Sequence, residues 1–260
     1  MMTAGLSACC SRWAPGYMRP EGSRRYVAPM RARWADREGS LAVFDRHVSR
    51  VDPASPPDER LLEALLALGA VIDALVDLAE VRRRIDDLRG DLADLDEPTE
   101  VVRALLRAGL GGRTRFSWRG ASVAHTVLDG AGLPLTLGLV TVVAAPADAG
   151  LRLVGMPFHV VIGCSEADTF IDPVAPALCD SMALSDMVGR YSSGRIAFDR
   201  SMLTTMTAGE VLVRVFNNLE NAANVGRDTP LLGLVRVARR SLTVTTSAQG
   251  SPRPSLHLLN

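Results

Sequence analysis

A serine, a histidine and an aspartate stand in an order that suits nucleophilic catalysis: Ser122, His159 and Asp172. Ser122 falls at the start of an expected helix. Unpaired backbone N–H groups and the positive end of the helix dipole favour developing negative charge there. His159 follows Gly155-Met156-Pro157-Phe158 at the beginning of an expected strand, where its imidazole can take a hydroxyl proton. Asp172, in Phe170-Ile171-Asp172-Pro173, ends the next strand, and a carboxylate there can fix the imidazole tautomer. The separation of His159 and Asp172 suits a hairpin that puts both on one face. Ser122, His159 and Asp172 are therefore the candidate catalytic residues for acyl transfer on an amide or ester. Each also has a plainer reading. Ser122 can cap its helix, His159 can be a buried, hydrogen-bonded strand residue, and Asp172 can form an Asx turn before Pro173.

Other reactive residue types give less. His125 and Asp129 share a helix face with Ser122. Side chains on one face run parallel instead of converging, so this group reads as a solvated or pocket-rim face. The four cysteines, Cys9, Cys10, Cys164 and Cys179, contain no CxxC pair. They indicate neither a zinc ribbon nor a disulfide framework, and a reducing cytoplasm is the expected compartment. The four histidines have no HxH or HxxxH spacing, so no metal site is expected. There is no Gly-rich phosphate loop, and no cofactor is expected. Asn217, Asn218 and Asn221 cluster with Arg214 on a late helix. Asn is a poor interior helix former, so these residues have either a capping or sheet-edge task or a ligand to contact.

The elements that must position these residues follow from periodicity. Residues 59–92 carry an apolar stripe at helical spacing, broken or kinked near Gly69. Arg82 and Arg83 precede Asp86 and Asp87 by four positions, the spacing of solvated ion pairs on a helix. A further helix starts near Pro98 and ends at Gly111-Gly112. Residues 121–128 and 134–145 read as two more helices. Three short strands follow at 151–156, 158–164 and 169–171. Helical patterns return at 184–191, 208–223 and 230–242. Helices first, then a small sheet, then helices again predict an α+β fold with a largely antiparallel sheet, not a doubly wound parallel one.

This order divides the chain into four parts. Residues 1–38 read as a disordered or loosely attached Arg-rich tail, and 39–112 as a helical N-terminal part. Residues 113–242 are the core with its closing helices, and 243–260 a frayed end. The tail contains a lipoprotein-like box at Leu6-Ser7-Ala8-Cys9 and an arginine pair at Arg24-Arg25. Neither has the apolar stretch that export requires. No apolar run reaches the roughly 18 uncharged residues of a membrane span.

Composition narrows the function further. The chain has 260 residues, 47% hydrophobic and 22% charged, which fits a globular protein with a sizeable core. Basic and acidic residues balance at 29 each, which argues against a globally basic nucleic-acid binder. Aromatic residues are only 5%, too few for a base-stacking platform. All the basic residues are Arg, so P-loop and Schiff-base lysine chemistry are absent.

Four segments in order carry a resemblance. They are Gly132-Leu133-Pro134-Leu135-Thr136-Leu137, Pro157-Phe158-His159-Val160, Ile171-Asp172-Pro173 and Arg214-Val215-Phe216-Asn217-Asn218-Leu219. Over roughly residues 55–240 the chain resembles the transglutaminase-like superfamily, within the papain-like cysteine-proteinase fold, and more narrowly its SirB-type branch. The resemblance implies that fold, with His159 and Asp172 at the positions of a catalytic pair. It also implies a cysteine at the start of the nucleophile helix, and the best-matching position here is Ser122 or a near neighbour. No cysteine lies between Cys10 and Cys164, and Phe158 replaces the usual Gly before the histidine. A hydroxyl in a site shaped for a thiolate loses most of the activity. The expectation is a non-catalytic protein that binds an unidentified protein or peptide. The alternative is a hydrolase or acyl-transferase using Ser122, His159 and Asp172.

Overall fold

The structure is a computed structural model that describes residues 37–93, 97–112, 116–165 and 168–248. It opens with α1 (Arg37–Val48) and α2 (Glu59–Ile72). Asp58 caps α2 by accepting from the Leu61 N–H. Leu61, Leu62, Leu65, Leu66, Leu68 and Val71 are all buried, so α2 is a central helix rather than an amphipathic surface one. Gly69 does not kink it. A Cβ there would lie 2.8 Å from the Ala124 Cβ, so the glycine lets another helix approach closely. The break comes later, at residues 73–77. Asp73 turns extended and accepts the Leu75 N–H, and Asp77 then caps α3 (Leu78–Asp91) through the Glu80 N–H.

α3 buries Val81, Ile85 and Leu88 and carries ion pairs on its outer face. Arg83 pairs with Asp87 at 2.9 Å, as the spacing predicts. Arg82 instead crosses to Glu63 of α2 at 2.8 Å, where it meets a carboxylate less exposed than one on its own helix. Arg83 and Arg84 together hold the Glu80 carboxyl down to about 2. Such exposed pairs each add little to stability. α4 (Pro98–Arg107) begins with Pro98 in its first turn and a reciprocal Glu97–Glu100 cap.

Two short helices, α5 (Trp118–Ala121) and α6 (Val123–Asp129), meet at Ser122. α7 (Pro134–Ala144) is apolar nearly all round and buries Leu135, Leu137, Leu139 and Val140. It packs on α2, α3 and α6 on one side and on the sheet on the other. Thr136 locks its start: the hydroxyl lies 3.0 Å from the Gly120 and Leu133 carbonyls and 2.9 Å from the Thr126 hydroxyl.

The sheet has five antiparallel strands in the order β4-β3-β2-β1-β5. These are β1 (Arg152–Met156), β2 (His159–Gly163), β3 (Phe170–Asp172), β4 (Ala177–Cys179) and β5 (Thr204–Thr205). Alternation gives each face its own layer. Leu153, Val160, Ile162 and Ile171 join the main core beneath α7. Val154, Met156, Val161, Phe170 and Cys179 form a second cluster with Leu184, Met187 and Val188 of α8 (Ser181–Ser192). α9 (Ala208–Val225) and α10 (Thr229–Ala248) close the chain, and both pack back on the N-terminal helices or on α5 and α7.

The architecture is α+β, with a helical N-terminal part and a small antiparallel sheet. Buried residues from Phe44 to Ala238 belong to one core cluster. α10 continues through Ala248, past the expected end at 242. The tail expected over 1–38 lies outside the described residues up to 36, and its last two residues open α1.

Candidate functional site

His159 and Asp172 meet. The register pairs Ile162 with Ile171, which carries Val161 opposite Asp172 and leaves His159 two residues along on the same face. His159 Nε2 lies 3.1 Å from Asp172 Oδ1. That same oxygen accepts the Val174 N–H at 2.9 Å, so Asp172 forms the Asx turn and the histidine contact together. Both residues are buried, at 3% and 8% exposure. From α8, Tyr191 stacks on the imidazole with ring centroids 5.4 Å apart and planes 19° apart.

The turn before His159 is unusual. Met156 and His159 are paired residues, so only Pro157 and Phe158 connect β1 to β2. Phe158 has φ 64°, the left-handed region that glycine favours and that the third position of a type II turn requires. Arg214 reaches from α9 to hold this turn. Its Nη2 donates to the carbonyls of Met156 at 3.2 Å and His159 at 3.4 Å. Burial pushes the Arg214 guanidinium below its ordinary range, partly offset by Glu210.

Ser122 is engaged elsewhere. It occupies the N-cap position of α6, yet its side chain makes no capping bond. Its Oγ lies 2.9 Å from His125 Nδ1, and His125 Nε2 lies 3.1 Å from Asp73 Oδ2. The bond from His125 holds the Asp73 carboxyl below the usual carboxylate range, against the opposing pull of burial. In the tautomer that donates Nε2–H to an ionised Asp73, Nδ1 accepts a hydrogen bond from the Ser122 hydroxyl. Trp118 closes over His125 edge-on at 4.7 Å.

The face shared by Ser122, His125 and Asp129 is thus not a solvated one. Ser122 is 3% and His125 1% exposed, because α6 turns them inward against α2. Only Asp129 is on the outside, paired with Arg119 at 2.7 Å.

The three residues expected to act together therefore divide into two groups. His159 joins Asp172 on the sheet face toward α8. The Ser122 hydroxyl bonds His125 within the α2–α6 layer, not His159. Neither described cysteine reaches the pair. Cys164 lies in the main core, and Cys179 sits opposite Phe170, which pairs with Gly163 at the far end of β2. At ~3.3 Å per residue, that is about 13 Å along the strand from His159. Among the described residues no His, Cys, Asp and Glu cluster could hold a metal ion. Asn217 and Asn218 are half-buried and Asn221 is exposed, on a helix that packs against α5, α7 and α10.

Sequence reasoning missed Asp73 and Tyr191. Asp73 was legible only as a polar residue ending an apolar helix, and Tyr191 as one aromatic in the last turn of another.

A family model described as the transglutaminase-like superfamily matches residues 69–217, more than half of the chain. The chain belongs to the transglutaminase-like superfamily. The match contains both hydrogen-bonded groups and the first three resembling segments whole, with the fourth as far as Asn217. No curated protein and no solved structure matches. Among the described residues no helix is long and apolar enough to cross a membrane.

Proposed function

We infer that this is a SirB-type member of the superfamily that holds a protein or peptide partner and does not carry out acyl transfer. One observation carries the reading: the Ser122 hydroxyl is buried and given to His125, on a different layer from His159 and Asp172. The histidine–aspartate pair then serves as a rigid, polar feature of a binding surface. Balanced charge supports a protein or peptide rather than a nucleic acid as partner. The cysteines have none of the spacing of a disulfide framework, which supports a reducing compartment, and we place the protein in the cytoplasm.

A second reading is favoured by the hydrogen-bonded chain from Ser122 through His125 to Asp73. Its polarity is that of a serine hydrolase relay, with the two imidazole nitrogens exchanged. In that reading Ser122 is the nucleophile and His125 its base, acting on an ester or amide.

A fluorophosphonate probe separates the two. The full chain is incubated with the probe beside Ser122→Ala and His125→Gln, and labelled peptides are identified by mass spectrometry. The binding reading expects no labelling of Ser122 in the unsubstituted protein. Labelling at Ser122 that disappears in both variants would overturn it in favour of hydrolysis.

A further inference from the structure

We propose that the β1–β2 turn anchors a segment of a partner protein that carries an apolar side chain beside a carboxylate: the Phe158 ring takes the apolar group and the Arg214 guanidinium takes the carboxylate. This rests on reading the protein as a binder, and it names the chemistry of the partner.

A bulky residue with φ 64° is an outlier that a fold keeps only where something requires it. Packing meets only part of that need, since Phe158 is 50% exposed. The turn has little room to relax. β1 and β2 are paired up to Met156 and His159 on either side of it, and Arg214 ties the carbonyls of both. A half-exposed aromatic ring on a backbone held this firmly loses little freedom on binding, which is the property of an interface anchor.

The neighbouring charge selects the second group. Arg214 commits only Nη2 to the turn. Among the described residues its Nη1 and Nε have no hydrogen-bond partner, and neither atom is sealed from solvent. Among the described residues no carboxylate pairs with it. Glu210, one turn earlier on α9, accepts the Thr207 N–H at 2.8 Å and serves the helix cap. Gly155 lets the guanidinium lie over β1, because a Cβ there would come within 3.3 Å of Nη1. Burial disfavours the charge, and a carboxylate arriving at the open N–H groups restores it through charge-assisted hydrogen bonds.

The test uses the full chain and a displayed library of random linear peptides. Retained peptides should carry Asp or Glu beside an apolar residue. Changing that acid to its amide should weaken binding roughly tenfold, and so should Phe158→Ala and Phe158→Gly. The two variants lack the same ring but differ in backbone strain, so equal losses assign the effect to the ring. Unchanged affinity in both variants, or losses that follow their stabilities, overturns the anchor. So does a library that retains no peptide, or only peptides whose binding ignores the change of acid to amide.

If the variants do not fold, the unsubstituted protein decides. A bound peptide should shield Phe158 from hydroxyl-radical oxidation, read by mass spectrometry, while the exposed Met182 on α8 stays reactive. Undiminished oxidation of Phe158 overturns the proposal. Peptides that bind but ignore Phe158 remove the anchor and leave the binding reading standing, whereas labelling of Ser122 removes that reading itself.

Discussion

Phe158 holds a backbone conformation that any side chain disfavours, and at this position glycine should be more stable than alanine. The left-handed region costs a non-glycine residue about 1–2 kcal/mol. Against this, glycine loses more chain entropy on folding, roughly 0.5–1 kcal/mol. The phenyl ring is 50% exposed, and the packing of its other half is lost equally in a glycine and an alanine variant, so those two are compared with each other. The conformational balance then favours glycine over alanine at this position by about 0.5–1 kcal/mol. Phe158→Ala removes the ring but keeps the Cβ, so it isolates the conformational part. Urea unfolding should find the glycine variant more stable than the alanine variant by about 1 kcal/mol, reversing their usual order. An alanine variant as stable as the glycine variant would refute the argument, because the positive φ is what must put glycine ahead against its greater loss of chain entropy.

Two other perturbations test the packing and the buried relay. Gly69→Ala puts a Cβ 2.8 Å from that of Ala124, so overpacking should outweigh the better helix propensity and cost about 1–2 kcal/mol. Gly90→Ala, with open space around it, should gain about 0.5–1 kcal/mol in the same urea assay, and the opposite signs check the steric reasoning. The Asp73 carboxyl is depressed in the folded protein by the bond from His125. Its contribution is full above the unfolded carboxylate value, near pH 4, and is lost as pH falls through the lower folded value. Asp73→Asn should therefore flatten the loss of stability below about pH 4, and an unchanged acid slope would show that the bond contributes nothing.

Long apolar periodicities were legible. The stripe from Leu61 to Leu92, Pro134 opening α7 and the apolar face of α9 all predicted their elements, because burial of one face fixes the period. Short or weakly patterned elements were not. α1 buries only Phe44 and Val48 and gives almost no stripe. β4 and β5 have three and two residues, and they exist because β3 and β1 offer them ladder partners. The break between α2 and α3 was misplaced for a different reason. Gly69 looks like punctuation in a sequence, yet in the fold its missing Cβ serves contact with α6, while two aspartates end one helix and begin the next.

The functional residues show the same limit more sharply. His159 and Asp172 were paired from the sequence because a hairpin converts a short separation into a shared face. Ser122 was joined to them by order alone, and order does not say which layer a helix occupies. The strand period does. His159 shares its parity with Val161, whose face is covered by α8, while Val160 and Ile162 face α7. A one-residue shift of β2 against β1 would turn His159 to the other layer and take Val160 and Ile162 out of the main core. The Pro157–Phe158 turn prevents that shift, and Arg214 pins the carbonyls on both sides of it. The strained phenylalanine and the half-buried arginine thus decide which layer the histidine faces, and with it which helix can reach it: Tyr191 of α8 and not Ser122 of α6.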